Sequence, residues 1–151
     1  MQNGNIELKI KKVRPGAVIP SRATPGSAGM DIYACIEEPL TLEPLGRALV
    51  PSGIAIELPD SGCVAYICAR SGLAIKHGVT LSNCVGVIDS DYRGEVCVGL
   101  VNLSNDAYTV SPGERIAQMI ISPVLLPSVT QVEELGETER GSGGFGSTGK
   151  N

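Results

Sequence analysis

Three segments carry residues whose types and spacing suit chemistry. In the first, the apolar run Gly86-Val87-Ile88 leads into Asp89-Ser90-Asp91-Tyr92-Arg93-Gly94, and Val96 restarts an apolar pattern beyond it. A carboxylate at a strand end can orient or deprotonate water, though a polar turn would use the same residues for backbone reasons alone. In the second, Ala69-Arg70-Ser71-Gly72-Leu73-Ala74 sets an arginine and a hydroxyl at the start of a short helix, beside unpaired backbone N–H groups. That is the make-up of an anion site; an ordinary cap next to a solvated arginine fits it too.

The third segment, Arg140 to Gly149, holds the chain's only phenylalanine, Phe145, among glycines. A lone ring there points to a flat partner such as a nucleobase, and Arg140, Ser147 and Thr148 supply donors for phosphate oxygens. A disordered terminus with an incidental Phe is the bland alternative. Gly144 to Lys150 also meets the first seven positions of a phosphate-binding P-loop. Asn151 stands where Ser or Thr would meet Mg²⁺, however, and the chain stops where the helix should open.

These segments need a scaffold, and composition says which kind. Gly and Pro make 29 of 151 residues, well above the average of about 12%, and they are spread evenly enough to leave long helices no room. Ile6 to Lys11 alternates apolar and charged residues, as a half-buried strand does. Ile54 to Leu58, Cys63 to Ala69, Val96 to Val101 and Ile116 to Leu126 are further strand runs. Pro51-Ser52-Gly53, Pro59 to Gly62 and Ser111-Pro112-Gly113 read as the turns between them. The pattern predicts a single all-β domain, a distorted jelly-roll or barrel-like sandwich. One short helix fits at Ser71 to His77, with Ser71 capping its start and Gly78 its end.

Pro123 and Pro127 mark the last apolar run as an edge strand or exit arm, one that a neighbouring subunit could cover. The domain is expected over 1–135, with 136–151 as a mobile glycine-rich tail. Only five residues are aromatic, so the core must come from Val, Ile, Leu and Ala. No run approaches the roughly 18 apolar residues of a membrane span, and the N-terminus shows no signal pattern. A cytoplasmic setting is expected.

Five cysteines without a Cys-x-x-Cys, and one histidine, His77, argue against a structural zinc. Cys68 and Cys97 read as small buried hydrophobes. A net charge of −4 argues against bulk nucleic-acid binding but allows a single nucleotide.

Taken in order, five blocks resemble the trimeric dUTP pyrophosphatase family: Ala28 to Ala34, Arg70 to Ala74, Asn83 to Gly94, Gly113 to Gln118 and Arg140 to Gly149. The resemblance implies hydrolysis of dUTP to dUMP and pyrophosphate by water attack on the α-phosphorus. That reaction keeps uracil out of DNA and supplies dUMP for thymidylate synthesis. It also implies roles. A hairpin containing Asn83 and Val87 receives uracil, Tyr92 lies under the sugar and excludes a 2′-hydroxyl, and Asp89 activates the water. Arg70, Ser71 and Gln118, with Gly72 beside them, contact the phosphates.

Mg²⁺ would ride on the triphosphate oxygens, with Asp31 a helper through water; holding the Arg70 side chain is the other role open to Asp31. Phe145 would cover the base while Arg140, Ser147 and Thr148 grip the γ-phosphate, with Gly146 a further substrate-binding position. The likeness implies a homotrimer whose sites are shared among subunits. Asp91, Arg93, Glu114, Arg115 and His77 are expected to shape turns, packing or interfaces. Ala69 departs from the proline common before the second block.

Two rivals remain. The dCTP deaminase branch of the same fold carries a glutamate where Gly99 stands here. A nucleotide sensor without catalysis would keep the fold but has no need of Asp89, Ser71 and Phe145 together.

Overall fold

The computed structural model describes residues 7–144. Ten strands and one helix run in the order β1 (Lys9–Lys12), β2 (Met30–Tyr33), β3 (Leu40–Leu42), β4 (Arg47–Glu57), β5 (Cys63–Cys68), α1 (Ser71–His77), β6 (Val79–Leu81), β7 (Gly86–Ile88), β8 (Glu95–Asn102), β9 (Tyr108–Val110) and β10 (Arg115–Pro123). Two four-stranded antiparallel sheets, β1-β4-β8-β6 and β2-β10-β5-β7, share one core, and β3-β9 forms a small third sheet. The expected all-β sandwich is the observed one.

Side-chain alternation explains the layering. Along β8, Val96, Val98 and Leu100 are buried while Cys97 and Gly99 face the other way. Ile54 from β4, Ile32 from β2 and Met119 from β10 meet them in the core. Each such side chain contributes roughly 1.5–3 kcal/mol on leaving water. No aromatic ring is fully buried among the described residues, in line with the aliphatic core expected.

Four local expectations are corrected. Pro51-Ser52-Gly53 is no turn between strands: β4 runs straight through it, with a register shift against β8 between Pro51 and Ala55. Gly53 has φ +73°, and a glycine in a left-handed conformation serves a bulge as readily as a turn. Secondly, β10 is an interior strand, between β2 and β5, because Pro123 falls at its last position and interrupts no ladder. The chain beyond it is the exit arm: Leu125, Leu126, Val129 and Leu135 are all strongly exposed.

Thirdly, Arg70 rather than Ser71 occupies the N-cap position of α1, and no side chain caps that end, while Gly78 closes the helix at φ 68° as expected. Lastly, Cys68 and Cys97 are half-buried rather than buried. Burial still pushes the Cys97 thiol pKa up.

Candidate active site

The chain places its predicted site residues in two groups. The first lies where the sheets meet. β7 pairs with β5 and β8 pairs with β4 and β6, so Asp89–Gly94 is a corner between sheets and not the tip of a hairpin. The Ser82–Val85 turn, joining β6 to β7, crosses between the sheets in the same way. There Cys84 sits at φ 65°, a conformation costing a non-glycine residue of order 1–3 kcal/mol. Bonds from Cys84 N to Leu81 O (3.3 Å) and from Val85 N to Asn83 O (2.7 Å) hold the turn shut.

A cavity of about 350 Å³ opens at this corner, and Asn83, Val87, Asp89 and Tyr92 all line it. Its size is at the lower end of ligand pockets, roughly 300–1,000 Å³. Ile67, Leu81 and Val98 supply apolar walls, Asn83 the amide, and Asp89 an exposed carboxylate open to water. The turn is braced from its outer side: Arg93 Nη1 donates to Ser90 O (2.7 Å) and Tyr92 O (3.0 Å). Glu95 also lines the cavity. Sequence reading passed over it, and no local signal marks it, because its side-chain partner Arg14 is 81 positions away.

The second group is built by register. Gln118 on β10 stands opposite Asp31 on β2 and Cys68 on β5, so three strands bring these residues abreast. The chain leaves β5 through Ala69 into Arg70, whose Nε donates to Asp31 Oδ1 at 3.1 Å and whose Nη1 donates to Arg115 O at 3.0 Å. Arg115 Nη1 donates to Asp31 Oδ2 at 3.2 Å. One carboxylate thus holds two guanidinium groups. Gln118 Nε2 donates to Ala69 O at 2.9 Å, and Gly29 leaves space for its Oε1.

Ser71 and Gly72 stand exposed at the start of α1. His77, at its far end, lies 5.0 Å from the ring of Tyr108. Burial and a hydrogen bond to Glu114 push the Tyr108 phenol up to about 12.

The two groups are far apart within one chain. Asp89 follows Ile88, which pairs with Ala65; Arg70 lies beyond the other end of β5. At ~3.3 Å per residue, the strand separates them by roughly 20 Å. Arg140 is exposed and donates from Nε to Gly143 O at 2.8 Å. Phe145, Gly146, Ser147 and Thr148 lie outside the described residues.

Metal donors are sparse. No cluster of three or more His, Cys, Asp or Glu occurs among the described residues, and both Asp31 oxygens already face arginines. These residues fit a divalent ion carried on a ligand's own oxygens and reached through water; they do not form a resident metal centre. No helix among the described residues is long and apolar enough to cross a membrane.

A two-sheet sandwich with a cavity of ligand size at one corner, a carboxylate on its rim and guanidinium groups at the far end of a shared strand has the parts of a nucleotide-binding β-sandwich. Comparison with known proteins sharpens this. The dUTPase family model matches residues 16–149. The deoxyuridine 5'-triphosphate nucleotidohydrolase of Aeromonas hydrophila is 52% identical over 147 residues, covering 96% of this chain and 97% of the relative. That of Hydrogenovibrio crunogenus is 53% identical over 147 residues, covering 95% and 96%. A solved mutant of the Staphylococcus bacteriophage 80alpha dUTPase with dUpNHpp superposes with a TM-score of 0.86 at 28% identity, over 95% of this chain and 99% of that one. The chain belongs to the dUTPase family.

Proposed function

We propose that the protein hydrolyses dUTP to dUMP and pyrophosphate, by attack of an Asp89-held water on the α-phosphorus. The observation that carries this reading is the convergence of Asn83, Val87, Asp89 and Tyr92 on one cavity. In it, Asn83 and the backbone near Val87 read the uracil edge, Tyr92 lies against the deoxyribose, and Asp89 faces the reacting phosphorus from the rim. A base with a different donor pattern leaves buried polar groups unpaired, a loss that can reach ~10⁴-fold.

Arg70, Ser71, Gly72 and Gln118 take the phosphates. The roughly 20 Å along β5 keeps them from the triphosphate that the water held by Asp89 of the same copy attacks. A complete site therefore joins the corner of one copy to the Arg70 end of another. The exposed Leu125, Leu126, Val129, Val132 and Leu135 arm gives such copies an apolar surface to bury. A homotrimer with shared sites satisfies both requirements. Residues 136–151 act as the closing segment, in which Phe145 covers the base while Arg140, Gly146, Ser147 and Thr148 meet the γ-phosphate.

Asp31 would reach, through water, an Mg²⁺ ion carried on the triphosphate oxygens, whose charge such an ion would neutralise; the first task of Asp31 is to hold Arg70. The five unbonded cysteines fit a reducing, cytoplasmic setting.

The test is a product assay on purified protein with Mg²⁺ and dUTP, dCTP, dTTP or UTP. Pyrophosphate and dUMP from dUTP alone are expected. Ammonia from dCTP would overturn the reading in favour of deamination, and tight dUTP binding without turnover would make the protein a sensor.

A further inference from the structure

Tyr92 owes its position to a contact that reaches outside the cavity. Its hydroxyl donates to the main-chain oxygen of Glu95 at 3.1 Å, folding the ring back over the corner. Gly94 permits this, because a Cβ there would run into the Tyr92 hydroxyl and ring. The place of the phenol is therefore the place of the Glu95 backbone.

That backbone is clasped. The Glu95 carboxylate takes Arg14 Nε at 2.6 Å on Oε1 and Arg14 Nη2 at 2.9 Å on Oε2. Oε1 also accepts the Gly53 N–H at 2.9 Å. Next along β8, Val96 O accepts the Ser52 hydroxyl at 2.5 Å. Both anchors come from the β4 bulge. Gly53 there admits no side chain, since a Cβ would come within 2.7 Å of Ala17 Cβ and of Cys35 Sγ. A two-pronged guanidinium–carboxylate pair fixes direction as well as distance. The Arg14 bond is the leading cause of a Glu95 pKa below the ordinary carboxylate value, so the group stays ionised and paired.

We infer that Arg14 and Glu95 are positioning residues that set the height of the Tyr92 ring over the sugar, and so tune discrimination between deoxyribo- and ribonucleoside triphosphates. The inference rests on the reading of Tyr92 as the sugar-facing wall. Arg14 touches no ligand in this scheme; it acts through Glu95 and then through Tyr92. It also neutralises a carboxylate that lines the cavity and would otherwise repel a triphosphate.

The test is kcat/KM for dUTP and for UTP, in the presence of Mg²⁺, on the intact protein and on Arg14→Ala, Glu95→Gln, the double variant and Tyr92→Ala, each with its thermal midpoint. Loosening the clasp is expected to lower the dUTP-over-UTP ratio by about tenfold, short of the ~10²-fold that a full 1 Å misplacement can cost. The double variant should lose no more than the worse single one, because both act through one contact. A merely structural clasp lowers the thermal midpoint and leaves the ratio alone, which overturns the inference. Arg14→Lys, which keeps the charge but not the fork, should fall between wild type and Arg14→Ala; it carries the test if the alanine variant does not fold. An unchanged ratio in Tyr92→Ala would instead remove the reading of Tyr92 itself. A ratio that moves in Tyr92→Ala but in none of the Arg14 and Glu95 variants would overturn the clasp alone.

Discussion

Arg70 Nε lies 3.1 Å from Asp31 Oδ1, a bond that reaches from the end of β5 across β10 to β2. The arginine assigned to the phosphates is therefore oriented before any ligand arrives, and the carboxylate that orients it is shared with Arg115. Preorganised charge is worth more than charge that must be gathered at the moment of reaction.

Asp31→Asn should accordingly lower kcat/KM by about 10–10²-fold through a displaced Arg70, with little change in the Mg²⁺ concentration that gives half-maximal rate. Steady-state assays across a Mg²⁺ titration check this. A shift mainly in the Mg²⁺ dependence would assign Asp31 to the metal's water shell instead.

Asp89→Asn keeps the size of the side chain and removes the base. It should cut kcat by about 10²–10⁴-fold while dUTP binding, followed by calorimetry, stays within a few-fold of wild type. Full activity in this variant would remove Asp89 from the mechanism.

Ending the chain after Glu139 deletes Arg140 and the whole Phe145 to Thr148 run. Turnover should be lost while the oligomer, measured by light scattering, persists. Dissociation of the oligomer would show that this segment belongs to the assembly and not to the ligand.

Tyr108 gives a pH signature. Its phenol ionises at about 12 against an ordinary 10.0, chiefly through burial and then through its bond to Glu114. A raised pKa means the neutral form is the one the fold favours. The stabilisation is therefore complete below pH ~10 and disappears as pH rises through the folded value near 12. In an absorbance titration Tyr108→Phe should remove a phenolate that appears near pH 12, and should narrow the gap in stability between neutral and strongly alkaline solution.

Much of the fold was legible because its signals are local. The buried face of β8 shows as plain alternation from Val96 to Leu100, and the Gly78 stop shows as glycine at the end of a short helical pattern. The Pro51-Ser52-Gly53 bulge was misread because turns and bulges ask for the same backbone freedom, and only the partner strand distinguishes them. Ser71 was misjudged by one place because hydroxyl residues lead the cap preferences, yet the chain turns already at Arg70.

The site follows the same division. Asn83, Val87, Asp89 and Tyr92 sit within ten positions and reach one cavity, so their company could be read from the chain. The Arg14–Glu95 and Arg115–Asp31 pairs join positions 81 and 84 apart, distances over which a single sequence carries no pairing signal.

The placement of Asp89 beside one end of β5 and Arg70 beyond the other has a genetic consequence. If each site borrows its base from one copy and its phosphate clamp from another, then a defect in either is a defect of pairing and not of the polypeptide that bears it. Chains crippled at Asp89 and chains crippled at Arg70, each inert alone, would restore one another when mixed and reassembled, because some junctions would unite the two sound halves. A cell carrying both alleles would then be healthier than one carrying either by itself.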